Sequence, residues 1–537
     1  MKTKYILILI FILGFLLRFW QLGSNPPSLD WDEASLGYNA YSILKTGRDE
    51  YGTFLPLSIR SFGDYKPPLY TYLTILPVAL FGLNEFSTRF ISAVLGSLSV
   101  IVGYFLIKEL FFGKKPIFYL LFSTFFALSP WHIQFSRIAF EANTALFFFI
   151  AGIWLFLKGL KRGTYFLFSV ISFSLSFYAY HSPRLVVPLL LVGMFFIYKE
   201  TILKQKKIIL LSLFLFGVLI SPIVYQLRST GARFSSVTVI NQDEKLGESI
   251  KAIEFDQKTG DILGKLMHNR RIVYTKEILG GYLDHFNFDF LFLTGDPPGR
   301  HHAVGMGMLY FWDLPFLILG VIYLVRNSFR NKNLLFWWFI VAPTASSLTS
   351  GTPHAVRALF YLPTFQMFIA FGIVFFFTLV KSHIKGFLQK SILIVTFSLL
   401  IFNVFYYLHM YWRHTPYEDS ASWQYGYREV VSEVSKYEDK YDKIVVTYRY
   451  DQPYIYFLFY NKIDPLWYQR QWKDREIKRA ERSFGKYEFR NLDLGKDSGE
   501  NRVLFVGTPS EIPESTPGIL KTVFFLDGSV AFRIVGR

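Results

Sequence analysis

The sequence predicts a mainly α-helical, polytopic membrane protein of about eleven transmembrane helices with a small α/β domain at its C-terminal end. Three observations carry that expectation. Of the 537 residues 52% are hydrophobic, 19% aromatic and only 18% charged, against about 25% charged in soluble domains. Apolar runs recur along the chain at lengths near the ~20 residues that cross a bilayer. Beyond residue 412 charged residues return, among short segments of strand character.

The elements follow in order. Lys2 and Lys4 ahead of the apolar stretch to Trp20 resemble the start of a signal peptide. No small-x-small cleavage site follows, and Arg18 and Trp20 read as the interfacial end of a retained first span near residues 5–22. Further spans are expected near 87–107, 116–131, 143–157, 163–180, 184–198, 208–227, 308–325, 333–350, 356–380 and 391–411. The run Leu69–Leu83 is short, begins after Pro67 and Pro68 and contains Pro77. As a span it would throw Lys108, Lys114 and Lys115 onto the outer side, so it is expected as a re-entrant or interfacial helix.

With that topology the N-terminal tail and five inner loops, from Lys2 through Arg330 to Lys390, hold eighteen Lys and Arg against Glu109 and Glu200, which is +16 of the formal +17. The basic balance is therefore a topology signal, and no nucleic-acid partner is expected. The absence of cysteine excludes disulfides and thiolate metal sites. A transmembrane domain is expected over 1–412, with outer loops at 23–86, 132–142 and 228–307 and a short outer turn at Ser350–His354. An outer α/β domain should occupy 413–537, with strands at 443–448 and 502–507 and a hairpin at 525–532 turning at Asp527-Gly528.

Several outer segments carry chemistry. Asp32 and Glu33 stand where the chain leaves the membrane, ahead of a helix-like stretch through Ala34, Leu36, Tyr38, Ala40 and Ile43. They read either as a site of carboxylate chemistry or as a cap, Asp32, and a dipole-favoured first-turn residue, Glu33. Asp49-Glu50, between Gly47 and Gly52, reads as a turn. Lys66 precedes two prolines that hold the backbone extended and so present its side chain at a defined height; snorkelling, or pairing with Asp64, is the plainer reading. Arg137 and Glu141 are four apart and would share a helix face as an ion pair, or line a polar cavity at the head of a span. His181 to Arg184 and His354 to Arg357 each place a histidine three residues before an arginine at the mouth of a span, a grouping suited to phosphate oxygens, with interfacial anchoring as the alternative. The stretch Thr294–His302 holds an acid and two histidines but lacks a further ligand. It is expected as a turn over the cavity mouth; a divalent metal is not favoured and no cofactor is required.

The succession Asp32-Glu33, Gly63-Asp64-Tyr65-Lys66-Pro67-Pro68-Leu69, Arg89, Arg137 to Glu141 and His354 to Arg357 resembles the polytopic glycosyltransferases of the C-type (GT-C) fold, in particular the protein O-mannosyltransferases and aminoarabinose transferases. The resemblance covers about residues 1–410 and is most specific in the first loop. It implies transfer of a sugar from a polyprenyl monophosphate with inversion at the anomeric carbon, Asp32 as catalytic carboxylate with Glu33 beside it, Glu141 as the acidic residue of the second outer loop, and Lys66 as a phosphate ligand. Lys66 stands where the eukaryotic mannosyltransferases have histidine, which leans the match toward the aminoarabinose and bacterial branch. Arg184, His354 and Arg357 are the further candidates for the donor phosphate, and Asp64, Arg137 and His181 for the substrate. The expected partners are the lipid-borne donor, the surrounding membrane lipid and an acceptor protein, lipid or glycan at the extracytoplasmic face of the plasma membrane. A transporter or flippase of lipid-linked sugars would also want outward cations beside a lipid path, but such proteins more usually carry inverted repeats and broken midplane helices, which the sequence lacks.

Overall fold

The computed structural model describes residues 2–62, 64–229, 246–329, 331–471, 483–493, 495 and 502–537. Gly63 of the first-loop motif, Arg330 of the inner charge group and residues 230–245 of the long loop lie outside the described residues. Each of the eleven apolar runs contains a helix: Lys2–Phe19, Glu85–Leu110, Pro116–Leu128, Glu141–Gly159, Tyr165–Ala179, Pro183–Lys204, Lys206–Ser229, Asp313–Arg326, Lys332–Val341, Leu362–His383 and Gly386–His409.

Among the described residues six helices are long and apolar enough to cross a membrane. A seventh results if Pro116–Leu128 and Pro130–Arg137, bent by 53°, act as one span. Most of the difference from eleven is one of length, while Lys2–Phe19 has 18 residues but carries Lys2, Lys4 and Arg18. At about 1.5 Å per residue the 15 residues of Tyr165–Ala179, the 14 of Asp313–Arg326 and the 10 of Lys332–Val341 fall short of a hydrocarbon layer about 30 Å thick. The expected run 333–350 stops being a single helix at Ala342-Pro343, after which Thr344–Ser347 forms a separate turn of helix, because proline cannot continue the ladder of backbone hydrogen bonds. Where Asp313–Arg326 crosses Leu362–His383, a Cβ on Gly320 or on Gly372 would fall 1.8 Å from a carbonyl oxygen of the opposite helix. Only glycine permits that approach.

The basic connections gather at one end of the bundle, as the charge pattern requires. Lys161 pairs with Glu109, Gln205 Nε2 donates to Gly159 O at 3.2 Å, Asn331 Nδ2 donates to Leu110 O and Tyr198 OH to Asn331 Oδ1, both at 2.8 Å. The first loop lies elsewhere. Its helix Trp31–Thr46 is followed by a hairpin of Ile59–Ser61 against Asp64–Lys66 and by the 13-residue helix Leu69–Phe81, too short to span and tied to the next helix by Tyr70 OH donating to Thr88 O at 2.8 Å.

The C-terminal part builds a five-stranded sheet in the order Tyr487–Phe489, Lys443–Val446, Val503–Gly507, Val530–Gly536, Ile519–Phe524. The first two pairings are parallel and the last two antiparallel. The hairpin turns at Asp527-Gly528, where Gly528 takes φ +85 and Asp527 Oδ1 accepts from Ser529 N at 2.9 Å; its strands begin earlier and end later than the 525–532 window. The sheet and the helices Tyr427–Tyr437 and Pro453–Tyr460 share one apolar core with Leu29, Ala34, Tyr38 and Ala40 of the first loop. Gly37 shows how close that seating is, since a Cβ there would lie 2.5 Å from Thr88 Oγ1 on one side and 2.7 Å from Phe459 on the other. The helix Trp31–Thr46 is thus wedged between the membrane bundle and the C-terminal layer.

Candidate active site

The wedge helix opens with a reciprocal cap. Asp30 is the N-cap residue: its Oδ1 accepts from Glu33 N at 2.8 Å, and the Glu33 carboxylate accepts from Asp30 N at 3.3 Å. The cap is therefore Asp30, which removes the capping alternative for Asp32. Successive residues of a helix are about 100° apart around its axis, so Asp32 and Glu33 look in different directions.

Glu33 looks inward. Arg89 grips it with two nitrogens, Nε to Oε1 and Nη2 to Oε2, both at 2.8 Å, and neither side chain has exposed surface. Ala139 N donates to Oε1 at 2.8 Å, and the other guanidinium contacts of Arg89 go to the carbonyls of Leu22, Pro26 and Ser28. Glu33 thereby ties the first loop, the helix Glu85–Leu110 and the second loop together.

Asp32 keeps 32% of its side chain exposed and meets Lys66 Nζ at 2.5 Å. Lys66 ends the hairpin strand, opposite Ile59, and its ammonium lies 5.3 Å from the centre of the Phe62 ring. Burial by itself would lower the Lys66 pKa, but Asp32, Glu141 and Asp30 outweigh it and hold the ammonium above its ordinary value; it is charged at neutral pH. The alternative partner Asp64 instead accepts from Tyr65 N through Oδ1 at 2.7 Å. Asp49 makes the expected turn, accepting from Tyr51 N and Thr53 N.

Arg137 and Glu141 do not share a helix face. Pro130–Arg137 ends at the arginine, and a new helix starts at Glu141, whose carboxylate suits the positive end of the helix dipole. Arg137 is buried, donating to the carbonyls of Leu17, Arg18 and Asn25 and to Tyr411 OH. It fastens the end of the first span.

The turn Ser350–Arg357 joins the group through the long loop. Arg357 Nη1 donates to Thr349 Oγ1 at 2.7 Å and to Ser350 O at 2.8 Å. Ala355 N donates to Asp296 Oδ2 at 2.9 Å, and His301 Nδ1 donates to the same oxygen at 2.6 Å. His301, set against Phe135 and Phe140, holds its ring 5.2 Å from that of His354, tilted by 35°. Its neighbour Arg300 reaches the wedge helix, with Nε 3.3 Å from Asp30 Oδ2 and the guanidinium 4.7 Å from the Trp31 ring. Burial raises the Asp30 carboxyl to about 7, with Arg300 opposing and the nearby Asp32 and Glu33 adding to the rise. His181 and Arg184 stand at the head of Pro183–Lys204, which packs on Thr344–Ser347 just before the turn; Arg184 donates to Phe177 O at 3.3 Å.

Residues 8–212, which include Asp32, Lys66, Arg89 and Glu141, match the family model described as dolichyl-phosphate-mannose-protein mannosyltransferase. The structure superposes on ArnT from Cupriavidus metallidurans in the apo state over 99% of this chain and 98% of that one, with a TM-score of 0.57 at 10% identity. The chain has an ArnT-like GT-C fold. The same ArnT bound to undecaprenyl phosphate superposes over equal shares with a TM-score of 0.56 at 12% identity. An uncharacterised protein of Aquifex aeolicus (strain VF5) is 29% identical over 168 residues, 31% of this chain, so that the chain matches about a third of that relative's length, 32%.

Within this GT-C fold four contributors escaped the sequence reading: Asp30, Arg300, Gln134, whose Nε2 donates to Arg300 O at 2.6 Å, and Gln424, whose Oε1 accepts from Trp31 N at 3.0 Å and from Tyr456 OH. Asp30 carried a signal in its place directly before the helix start. The others reach the site across hundreds of residues, which no local pattern reports.

Proposed function

We propose that the protein is an inverting glycosyltransferase that moves a sugar from a polyprenyl monophosphate donor to an acceptor hydroxyl or similar group. The observation that carries this reading is the Asp32–Lys66 pair, a partly exposed carboxylate and a charged ammonium in one place, with Glu141 acting electrostatically on the same lysine. Lys66 binds Asp32 until the donor arrives, and its ammonium then turns to the donor phosphate, releasing the carboxylate to act as a base. The acceptor oxygen attacks the anomeric carbon in line. The new C–O bond forms as the bond to the phosphate oxygen breaks; the electron pair leaves with the phosphate, and the acceptor proton passes to Asp32. Lys66, Arg357 and Arg184 stabilise the charge growing on the leaving phosphate, an interaction strongest in the transition state. Glu33 serves as the positioning residue that fixes the turn on which Asp32 stands.

The site lies on the extracytoplasmic side of the plasma membrane, with Leu69–Phe81 interfacial. The concentration of basic connections at the opposite end supports this orientation. Two experiments test the reading. Purified protein in detergent should release polyprenyl phosphate from a sugar-charged donor when acceptor is present; absence of release across hexosyl and pentosyl donors overturns the activity. Asn84→Cys and Lys114→Cys, in a chain with no cysteine of its own, should differ in intact cells, with an impermeant thiol reagent labelling only position 84. Labelling of 114 alone overturns the orientation.

A further inference from the structure

The stretch 294–302 lacked a further ligand in sequence, and the fold supplies one from another loop. Asp296, His301 and His354 each bring a ligand atom, and these atoms all lie within 4.8 Å of one another. Asp296 and His301 are buried, at 2% and 4% exposure. We propose that these three residues form a binding site for a divalent transition-metal ion that clasps the long loop to the turn Ser350–Arg357.

Hydrogen bonding argues for it first. Asp296 Oδ2 is satisfied by His301 Nδ1 and Ala355 N, but Asp296 Oδ1 and His354 Nδ1 are buried with no hydrogen-bond partner among the described residues. Leaving such a group unsatisfied costs about 1–3 kcal/mol. An unpartnered carboxylate oxygen and, with the ring proton on Nε2, an unpartnered imidazole nitrogen in one cluster are what a cation relieves.

The supports are in place as well. Phe135 and Phe140 flank His301. The backbone N of His354 lies 3.3 Å from His285 Nε2, and that histidine is itself held by Gly281 O and Ser346 Oγ. His302, the sequence neighbour of His301, is turned away, donating from Nε2 to Asp296 O at 2.8 Å. The nearby cations have partners of their own, Arg300 at Asp30 and Trp31 and Arg357 at Thr349 and Ser350.

The donor set selects the ion. Two imidazoles and one carboxylate suit Zn²⁺ or Mn²⁺, whereas Mg²⁺ and Ca²⁺ prefer oxygen ligands throughout. Three protein ligands leave a coordination position for a small molecule. A cavity of ≈ 360 Å³ lined by Asn287, Asp289, Thr294, Asp296 and His302 adjoins the cluster and gives that position an approach. Because the clasp joins segments that carry Arg300 and Arg357, the ion would set where both arginines stand.

The test uses the full chain in detergent, stripped with chelator, equilibrated with Zn²⁺ alone, Mn²⁺ alone or Mg²⁺ alone, desalted and assayed for retained metal. One competing arrangement must be removed first: His409 and His414 are exposed, with Nε2 atoms 3.2 Å apart, so the measurement is made in a His409→Gln, His414→Gln background. The expected result is one Zn²⁺ per chain, with Mg²⁺ not retained, a rise in melting temperature on zinc addition, and visible bands of nitrogen-ligated Co²⁺ when cobalt replaces zinc. His354→Gln, which keeps size and polarity, and Asp296→Asn should each lose the zinc and the melting response while eluting as folded protein. Zinc retained equally by both variants, or retained by the parent only through His409 and His414, or not retained at all, overturns the site. Should Asp296→Asn fail to fold, His354→Gln decides.

Discussion

The Glu33 carboxylate is closed off, gripped by two nitrogens of Arg89 and by Ala139 N with no exposed surface on either ion, whereas that of Asp32, one residue earlier, keeps a third of its surface and meets Lys66 at a rim. One helix turn thus carries two acids in opposite surroundings, one holding three segments of chain together and the other partly open to solvent. Sequence adjacency made them look like a catalytic pair. The angular step between successive helical residues divides the roles, and the comparison can be broken or sharpened residue by residue.

The largest effect is expected on the open side. Asp32→Asn should lower transfer by about 10²- to 10⁴-fold, the usual worth of a general base, while the protein still folds and binds donor. Single-turnover release of polyprenyl phosphate measures it, and turnover near that of the parent removes Asp32 from the chemistry. On the closed side the loss should fall on stability. Arg89→Ala leaves Glu33 as a buried, unpaired charge, at a cost of about 3–5 kcal/mol, seen as a lower melting temperature or lower yield in detergent. If Arg89→Ala destabilises no more than Lys66→Ala, the division between the two acids fails.

Smaller effects follow at the phosphate candidates. Lys66→Ala and Arg357→Ala should each weaken donor binding by about 1.5–3 kcal/mol, the worth of a hydrogen bond to a charged group, with little change in melting temperature. Titration with a polyprenyl-phosphate sugar reads this, and parent-like binding in both variants excludes the proposed phosphate site. A further expected effect is a dependence on pH. Burial raises the Asp30 carboxyl from its ordinary 3.8 to about 7, so between those values the folded chain holds a proton that the unfolded chain has released. The contribution of Asp30 to stability therefore falls as pH rises through this window and levels off above about 7. Asparagine caps a helix about as well as aspartate, so Asp30→Asn should flatten that part of the melting-temperature profile; an unchanged slope would show that Asp30 is not its source.

What was legible in the sequence is what local physics governs. Each of the eleven apolar runs holds a helix and the Asp527-Gly528 turn lies where expected, because hydrophobic length and turn chemistry act over a few residues. Span lengths were less legible, since Pro343 shortened a run whose composition looked continuous. Arg137 and Glu141 misled because their spacing has meaning only on a common helix, and the chain breaks between them. Arg300 on Asp30 and His354 beside Asp296 are products of long-range closure. The segment Pro453–Tyr460 hid its role for another reason. Seven of its eight residues are buried, so it shows no amphipathic period, and nothing in it announces that it packs on the first loop.

That packing bears on how the chain is made. The helix Trp31–Thr46 is synthesised well before the C-terminal sheet, yet Leu29, Ala34, Tyr38 and Ala40 complete their apolar core with residues as late as Ile534. During synthesis the loop that carries Asp32 waits half-covered, and its final packing comes only when the last strand is in place. A chain cut near residue 412 would keep every span and every candidate side chain of the membrane domain, but would lack the surface against which their helix is pressed. In such a truncation the first loop, far from the cut in sequence, is where loss of order should begin.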